Sequence, residues 1–261
     1  MSEDADRLHA ALTAAWEALA GALEGGRLEH RDGYLWTICP AVPVPQFNGV
    51  WPIDDSSAPA LEGALDEVRA LGLPYSVQVR AGRTPAAERE AERLGLLVES
   101  ELPGMLARRE ELRDVEADGL HVIRVRTSDG LAQALAVAAE GFAAPPEIFA
   151  PLYVPEVASM DGLAIYVGRA GEVDVTTAVG LTIEDAVGVF TVATPAAHRG
   201  RGYGAAVTAY AAREGFAAGA RFAYLQSSSL GYPVYRRLGF RDVERYLLYT
   251  APEAPAVEVA E

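Results

Sequence analysis

The sequence predicts an α/β protein, and three observations carry that prediction. Helical and extended patterns alternate along the 261-residue chain as far as about Tyr249. The helical patterns repeat at three to four, as in Leu8, Leu12, Ala15, Trp16, Leu19 and Leu23, and the extended ones are rich in β-branched residues. The third observation is one strand–loop–helix unit. Val187, Val189, Thr191, Val192 and Thr194 form an extended run that empties into glycines at 200, 202 and 204, and a helical pattern starts at Ala205.

The elements follow in order. Asp4–Glu24 reads as a helix stopped by Gly25-Gly26. Arg27–Cys39 reads as strand on both sides of an Asp32-Gly33 turn, and Pro40–Pro59 as a proline-rich loop. Ala60–Leu71 is a helix, Tyr75–Arg80 a strand, and Thr84–Leu94 a helix with Thr84 as N-cap and Pro85 at its first position. Leu96–Arg109 is strand interrupted at Pro103-Gly104. Glu110–Gly119 is a charged link. Next come a strand (Leu120–Arg126), a helix opened by Ser128 or Asp129 (Leu131–Gly141), a helical stretch (Pro146–Ser159), and strands Leu163–Arg169 and Val173–Leu181. Glu184-Asp185 turns the chain into the central strand. After the glycine-led helix come strand Arg221–Gln226, a serine run, helix Tyr232–Leu238 and strand Val243–Tyr249. The tail Ala251–Glu261 alternates Pro, Ala, Glu and Val and is expected to be disordered.

Composition excludes several functions. The formal charge of −15 argues against nonspecific nucleic-acid binding, which needs basic surface. All 22 basic residues are arginine, so a P-loop lysine, a Schiff-base lysine and a pyridoxal-phosphate anchor are excluded together. No apolar run reaches the ~18–20 residues of a membrane helix, and the acidic start is unlike a signal peptide. The single Cys39 precludes an internal disulfide framework and fits a reducing cytoplasm, which is the expected location. It reads as a small buried hydrophobe. His9, His30 and His121 have no metal-binding spacing, and no metal is expected.

A strand leading through glycines into a helix N-terminus is a phosphate site. The first amides of a helix lack partners, the helix dipole is positive there, and glycine lets a ligand approach the backbone. Arg199 and Arg201 add charge of the right sign. The dinucleotide pattern G-x-G-x-x-G/A matches formally at Gly200, Gly202 and Ala205. However, the next strand ends in Gln226 and Ser227 with no acid for a ribose, and too little chain remains for a doubly wound sheet. A kinase-type loop fails for want of lysine.

Arg199-x-x-Gly202-x-Gly204 resembles the R/Q-x-x-G-x-G/A loop of the GNAT (Gcn5-related) acyl-CoA N-acyltransferases. That family often has V-x-P-x-x-R here; in this chain those places hold Thr194, Ala196 and Arg199, and the proline is shifted to Pro195. The resemblance runs from Leu120 to Thr250 in the family's order of elements and includes Y-x-x-x-G-F at Tyr235–Phe240. It implies a mixed, mostly antiparallel sheet flanked by helices, with acetyl-CoA or another acyl-CoA as co-substrate. Main-chain groups of Val192 and Thr194 would pair with pantetheine. Arg199, Gly200, Arg201, Gly202, Tyr203 and Gly204 would hold the diphosphate. Ser228 (or Ser227) stands where the family has an asparagine. Tyr235 would protonate the departing thiolate, a sensible donor since a phenol has pKa ~10; packing of the last helix is its other reading. His198 reads as loop surface, and Glu184 and Asp185 as a turn at the far end of the strand. The general base is not legible. Glu140, Glu147 and Glu156, with Phe142, Phe149, Leu152 and Tyr153, lie in the region that helps form the acceptor site in that family.

The first half carries a faint copy of this pattern. Ala91–Leu97 aligns with Tyr235–Arg241, Gly95 meeting Gly239, and Tyr75–Gln78 resembles Ala223–Gln226. No R-x-x-G-x-G precedes the Ala60–Leu71 helix. The expected organisation is a degenerate GNAT-like half at 1–112, a catalytic GNAT domain at 119–250 and the tail 251–261, as in tandem GNAT proteins. The expected activity is acetyl transfer to a primary amine of a small molecule by a monomer or homodimer. Alternatives are another acyl chemistry on the same fold, drawing on aminoacyl-tRNA or decarboxylating acyl-CoA, and a CoA-binding module without turnover.

Overall fold

The computed structural model describes residues 3–252. Its elements are α1 (Glu3–Ala22), β1 (Arg27–Arg31), β2 (Tyr34–Ile38), β3 (Gly49–Pro52), α2 (Leu61–Arg69), β4 (Ser76–Arg80), α3 (Pro85–Arg93) and β5 (Leu97–Arg108). There follow β6 (Leu120–Val125), α4 (Ser128–Gly141), α5 (Pro146–Phe149), α6 (Pro155–Ala158), β7 (Leu163–Ala170), β8 (Val173–Ile183), β9 (Ala186–Ala193), α7 (Tyr203–Ala217), β10 (Phe222–Gln226), α8 (Tyr232–Leu238) and β11 (Arg241–Thr250). The predicted disordered tail lies, from residue 253 onward, outside the described residues.

Contacts divide the described chain into two compact units, 3–15 with 104–243 and 16–103 with 244–252. The sheet of the first runs β5-β10-β9-β8-β7-β6, and that of the second β1-β2-β3-β4-β11. Each is antiparallel except for one neighbouring pair, β9 with β10 and β3 with β4, where a helix forces the crossover. The units do not follow the halves of the sequence. The last residues of β5 pair with β10, and β11 pairs with β4.

In the first unit, α7 and α8 cover one face of the sheet through Val187, Val189, Val207, Ala211, Phe216, Ala223, Leu225, Tyr235, Leu238 and Phe240. On β10 the alternate residue Tyr224 donates its hydroxyl to Ala11 O of α1 at 2.8 Å. In the second unit, Leu61, Leu65 and Val68 of α2 pack on Trp36, Val50, Val77 and Val79.

Five local expectations are corrected. The proline-rich loop contains β3, whose Gly49 lies so close to Ser76 that a Cβ would stand 1.9 Å from the Ser76 carbonyl oxygen. Four residues ending in Pro52, within a proline-rich stretch, give too short a pattern to read as a strand. Strand β5 runs unbroken through Pro103-Gly104. Helix α4 is capped by Thr127, whose hydroxyl accepts from Gly130 N at 3.2 Å. Thr84 holds the expected N-cap position of α3, but its hydroxyl makes no capping bond and is buried without a partner. The 146–159 stretch splits into α5, a 3₁₀ turn and α6, with Pro151 and Pro155 marking the breaks.

Candidate functional site

The site starts with a fault in the β8–β9 ladder. Val179 pairs with Phe190 and Thr177 with Ala193, so β9 carries an extra residue there, and Thr191 takes a left-handed φ of 49°. Such a bulge turns main-chain groups out of the ladder. On the other edge, β9 pairs with β10 only over Ala186–Gly188. Beyond Gly188 the two strands separate, leaving the outer half of β9 without that neighbour. β9 therefore splays from β10 over its outer half.

Next, β9 passes through a 3₁₀ turn at Ala196–His198 and two left-handed glycines, Gly200 (φ 78°) and Gly202 (φ 83°). Gly202 is the N-cap of α7, so the helix begins at Tyr203, two residues before the expected Ala205. A periodicity argument misses those residues because Gly204 weakens the pattern in the first turn. His198 N and Arg199 N are used within the turn, on Pro195 O and Ala196 O, and Ala206 N donates to Gly202 O at 2.9 Å. Among the described residues, the amides of Gly200, Arg201, Gly202, Tyr203, Gly204 and Ala205 find no acceptor in the chain. Six consecutive free donors at the positive end of a helix dipole form an anion cradle.

The arginines divide their work. Arg199 donates through Nε to Thr194 O at 3.0 Å and through Nη2 to Gly141 O at 2.8 Å. Its guanidinium thus braces the loop against the end of α4 and is not turned to the cradle. Arg201 is exposed. The carbonyl of Thr194 is taken by Arg199, and its hydroxyl lies 2.9 Å from that of Thr176, which also donates to Ala193 O at 2.9 Å. Val192 is half-buried against the cluster that holds Tyr235. Ser228 serves the turn into α8, accepting from Tyr232 N and Ser227 Oγ on its carbonyl and from Gly231 N on its hydroxyl.

Tyr235 is buried on α8 in an edge contact with Phe240. Its ring and hydroxyl lie over Gly231, where a Cβ would approach to 2.6 Å. The hydroxyl makes no hydrogen bond among the described residues, and burial raises its pKa above the ordinary phenol value. It is a neutral donor with its proton available. Glu184 and Asp185 are exposed in the β8–β9 turn, eight residues of β9 or ~27 Å from the glycine loop. Phe142 and Phe149 stack at 5.2 Å, while Tyr153 is buried with an unpartnered hydroxyl. Glu140, Glu147 and Glu156 are exposed.

Three contributors escaped the sequence. Gly141 packs against β9 so closely that a Cβ would meet Ala193 Cβ at 2.8 Å. Thr176 holds the strand exit from β8. Gln226 ends β10 where it parts from β9, its amide nitrogen buried without an acceptor. Only Gln226 left a signal, a polar residue closing an apolar strand. The described residues contain no cluster of groups that could hold a metal and no helix long and apolar enough to cross a membrane.

A mostly antiparallel sheet with one parallel pair that opens beside a free-amide helix start is the architecture of the GNAT fold. Comparison with known proteins agrees. Residues 164–243, spanning β7 to the start of β11, match the profile of the acetyltransferase (GNAT) domain. A GCN5-related N-acetyltransferase from Kribbella flavida superposes with a TM-score of 0.76 at 18% identity, over 100% of both chains. One from Sphaerobacter thermophilus gives 0.62 at 15% identity, covering 85% of this chain and 82% of the other. A tandem GNAT protein from the clavulanic acid biosynthesis pathway gives 0.55 at 13% identity, over 85% and 80%. At these identities the likeness is one of fold. No curated protein sequence matches the chain.

Proposed function

We propose that the protein is an acyl-CoA-dependent N-acyltransferase that transfers acetyl from acetyl-CoA to a primary amine of a small molecule. The observation that supports this most is the run of free amides from Gly200 to Ala205 at the start of α7, beside the opening between β9 and β10. The donor set suits a diphosphate, and the open edge of β9 suits an amide-bearing pantetheine arm. When bound, acyl-CoA supplies an activated thioester.

The chain's own groups would then act in order. The loop amides fix the diphosphate, and Arg199 keeps the loop in shape. The outer edge of β9 aligns the arm, so that the reacting carbon stands by the bulge at Thr191. Main-chain N–H groups turned out by the bulge face the thioester oxygen and take up its developing charge. An amine held against that carbon reacts with the advantage of proximity. Tyr235 keeps its proton at Oη until a thiolate forms, then donates it.

The N-terminal half is proposed as a degenerate copy. At the matching place Asp54 Oδ1 accepts from Ser56 N at 2.8 Å, and Asp55 Oδ1 accepts from Ala86 N at 2.7 Å. Asp54 takes an amide of that turn, Asp55 is tied to the start of α3, and both carboxylates would repel phosphate. Burial pushes the Cys39 thiol up to about 11, so it stays protonated at neutral pH and is no rival nucleophile. A reducing cytoplasm suits such a lone thiol.

A panel of primary amines incubated with acetyl-CoA, followed by released thiol, tests the reading. Amine-dependent thiol release with at least one acceptor is expected. Failure across the panel, with no rise in melting temperature on adding acetyl-CoA, would contradict it.

A further inference from the structure

The far end of α7 carries a second feature that the transfer reaction does not use. Arg109, Leu112, Arg113, Asp114, Arg213 and Phe216 line a cleft of about 360 Å³. In a chain with 37 acidic and 22 basic residues, this cleft is lined by three arginines and a single carboxylate, Asp114. Part of that charge has a local purpose. α7 has no basic residue in its last turn, and Arg109 supplies one, donating to Phe216 O and lying 5.5 Å over the Phe216 ring. Arg213 donates to Ala209 O and pairs with Asp114.

Arg113 is left over. Its amide is fixed on Leu238 O at 2.8 Å, while its exposed side chain makes no ion pair or hydrogen bond among the described residues. The cleft therefore holds a free guanidinium, the unused donors of Arg213, and an apolar floor of Leu112 and Phe216.

We infer that this cleft is a second ligand site, distinct from the glycine loop, for a small organic oxyanion with an apolar body. The oxyanion takes paired N–H donors from Arg113 and Arg213, a geometry that guanidinium offers and ammonium does not. The body lies on Leu112 and Phe216. The inference does not depend on the transfer reaction.

The test uses the full chain and two probes with the same apolar body, phenyl phosphate and phenylacetate, with neutral phenylacetamide as control. Calorimetry should show saturable binding of at least one anion, not of the amide, and the arm that binds tells phosphate from carboxylate. Arg113→Gln changes an exposed side chain. It should weaken binding by about ten-fold, the size of one charged hydrogen bond, while the melting shift caused by acetyl-CoA stays unchanged. Three results would overturn the inference: no saturable binding of either anion up to about 10 mM, a range that still detects very weak ligands; equal affinity in Arg113→Gln; or displacement of the probe by acetyl-CoA, which would put it in the glycine loop. In each of these cases the arginines are helix caps and surface charge only.

Discussion

Arg199 and Tyr235 show how far a residue type can be read before its surroundings are known. Both stand out in the sequence, Arg199 beside three glycines and Tyr235 ahead of Gly239-Phe240. The structure turns the Arg199 guanidinium to Thr194 O and Gly141 O, so it braces the loop and leaves the free amides to the cradle. No sequence pattern announces that, because the acceptor on α4 lies 58 residues away. Tyr235 keeps a free hydroxyl in an apolar setting. A raised pKa means the phenol stays protonated below that value, and its donor capacity is lost only as pH rises through it. Tyr235→Phe is therefore expected to lower kcat by about 100-fold, within the range of general acid catalysis, while acetyl-CoA still raises the melting temperature. The wild-type kcat should show no alkaline fall from this group below about pH 10, the ordinary phenol value. Steady-state kinetics over pH would read both, and unchanged turnover in the variant would leave Tyr235 a packing residue.

At the scale of elements, helices with clear periodicity and strands with β-branched runs were legible, as were the left-handed glycine ends at Gly95 and Gly239 (φ 78° and 101°). What was missed depended on partners distant in sequence. Strand β3 exists because Ser76 and Val77 pair with Gly49 and Val50, and the bulge at Thr191 exists because β8 is one residue short opposite it. The two parallel pairs also differ in their polar groups. On β4 the side chain of Gln78 is buried with neither amide atom bonded, at the level where β3 and β4 cease to pair. Such a group costs about 1–3 kcal/mol. Gln78→Met keeps the volume and removes the penalty, so it should raise the melting temperature by about 2–4 °C for each kcal/mol recovered. Calorimetric unfolding would decide, and a lowered melting temperature would show that the amide has an unrecognised partner.

At the scale of the whole chain, the order of strands explains why the sequence halves and the contact units disagree. β5 follows α3 yet pairs with β10, and β11 follows α8 yet pairs with β4. A cut between the halves removes β5 from β10 and leaves β11 without β4. A fragment of residues 116–252 is expected to lack cooperative unfolding, whereas the full chain should melt sharply; circular dichroism on both would show it, and a sharp transition in the fragment would refute it. The repeated plan, a run of antiparallel strands (β6–β9 in the first unit, β1–β3 in the second), a crossover helix and a parallel strand, leaves in the sequence only the R-L-G echo and the likeness of Tyr75–Gln78 to Ala223–Gln226. Packing constrains such a plan more than it constrains residue identity.

The central claim is that one anion cradle, Gly200 to Ala205, holds the co-substrate, and that the carboxylates of Asp54 and Asp55 close the matching place in the other half. Calorimetric titration of the full chain with acetyl-CoA tests it most directly. One binding site per chain is the predicted result, and either two sites or no binding would contradict it.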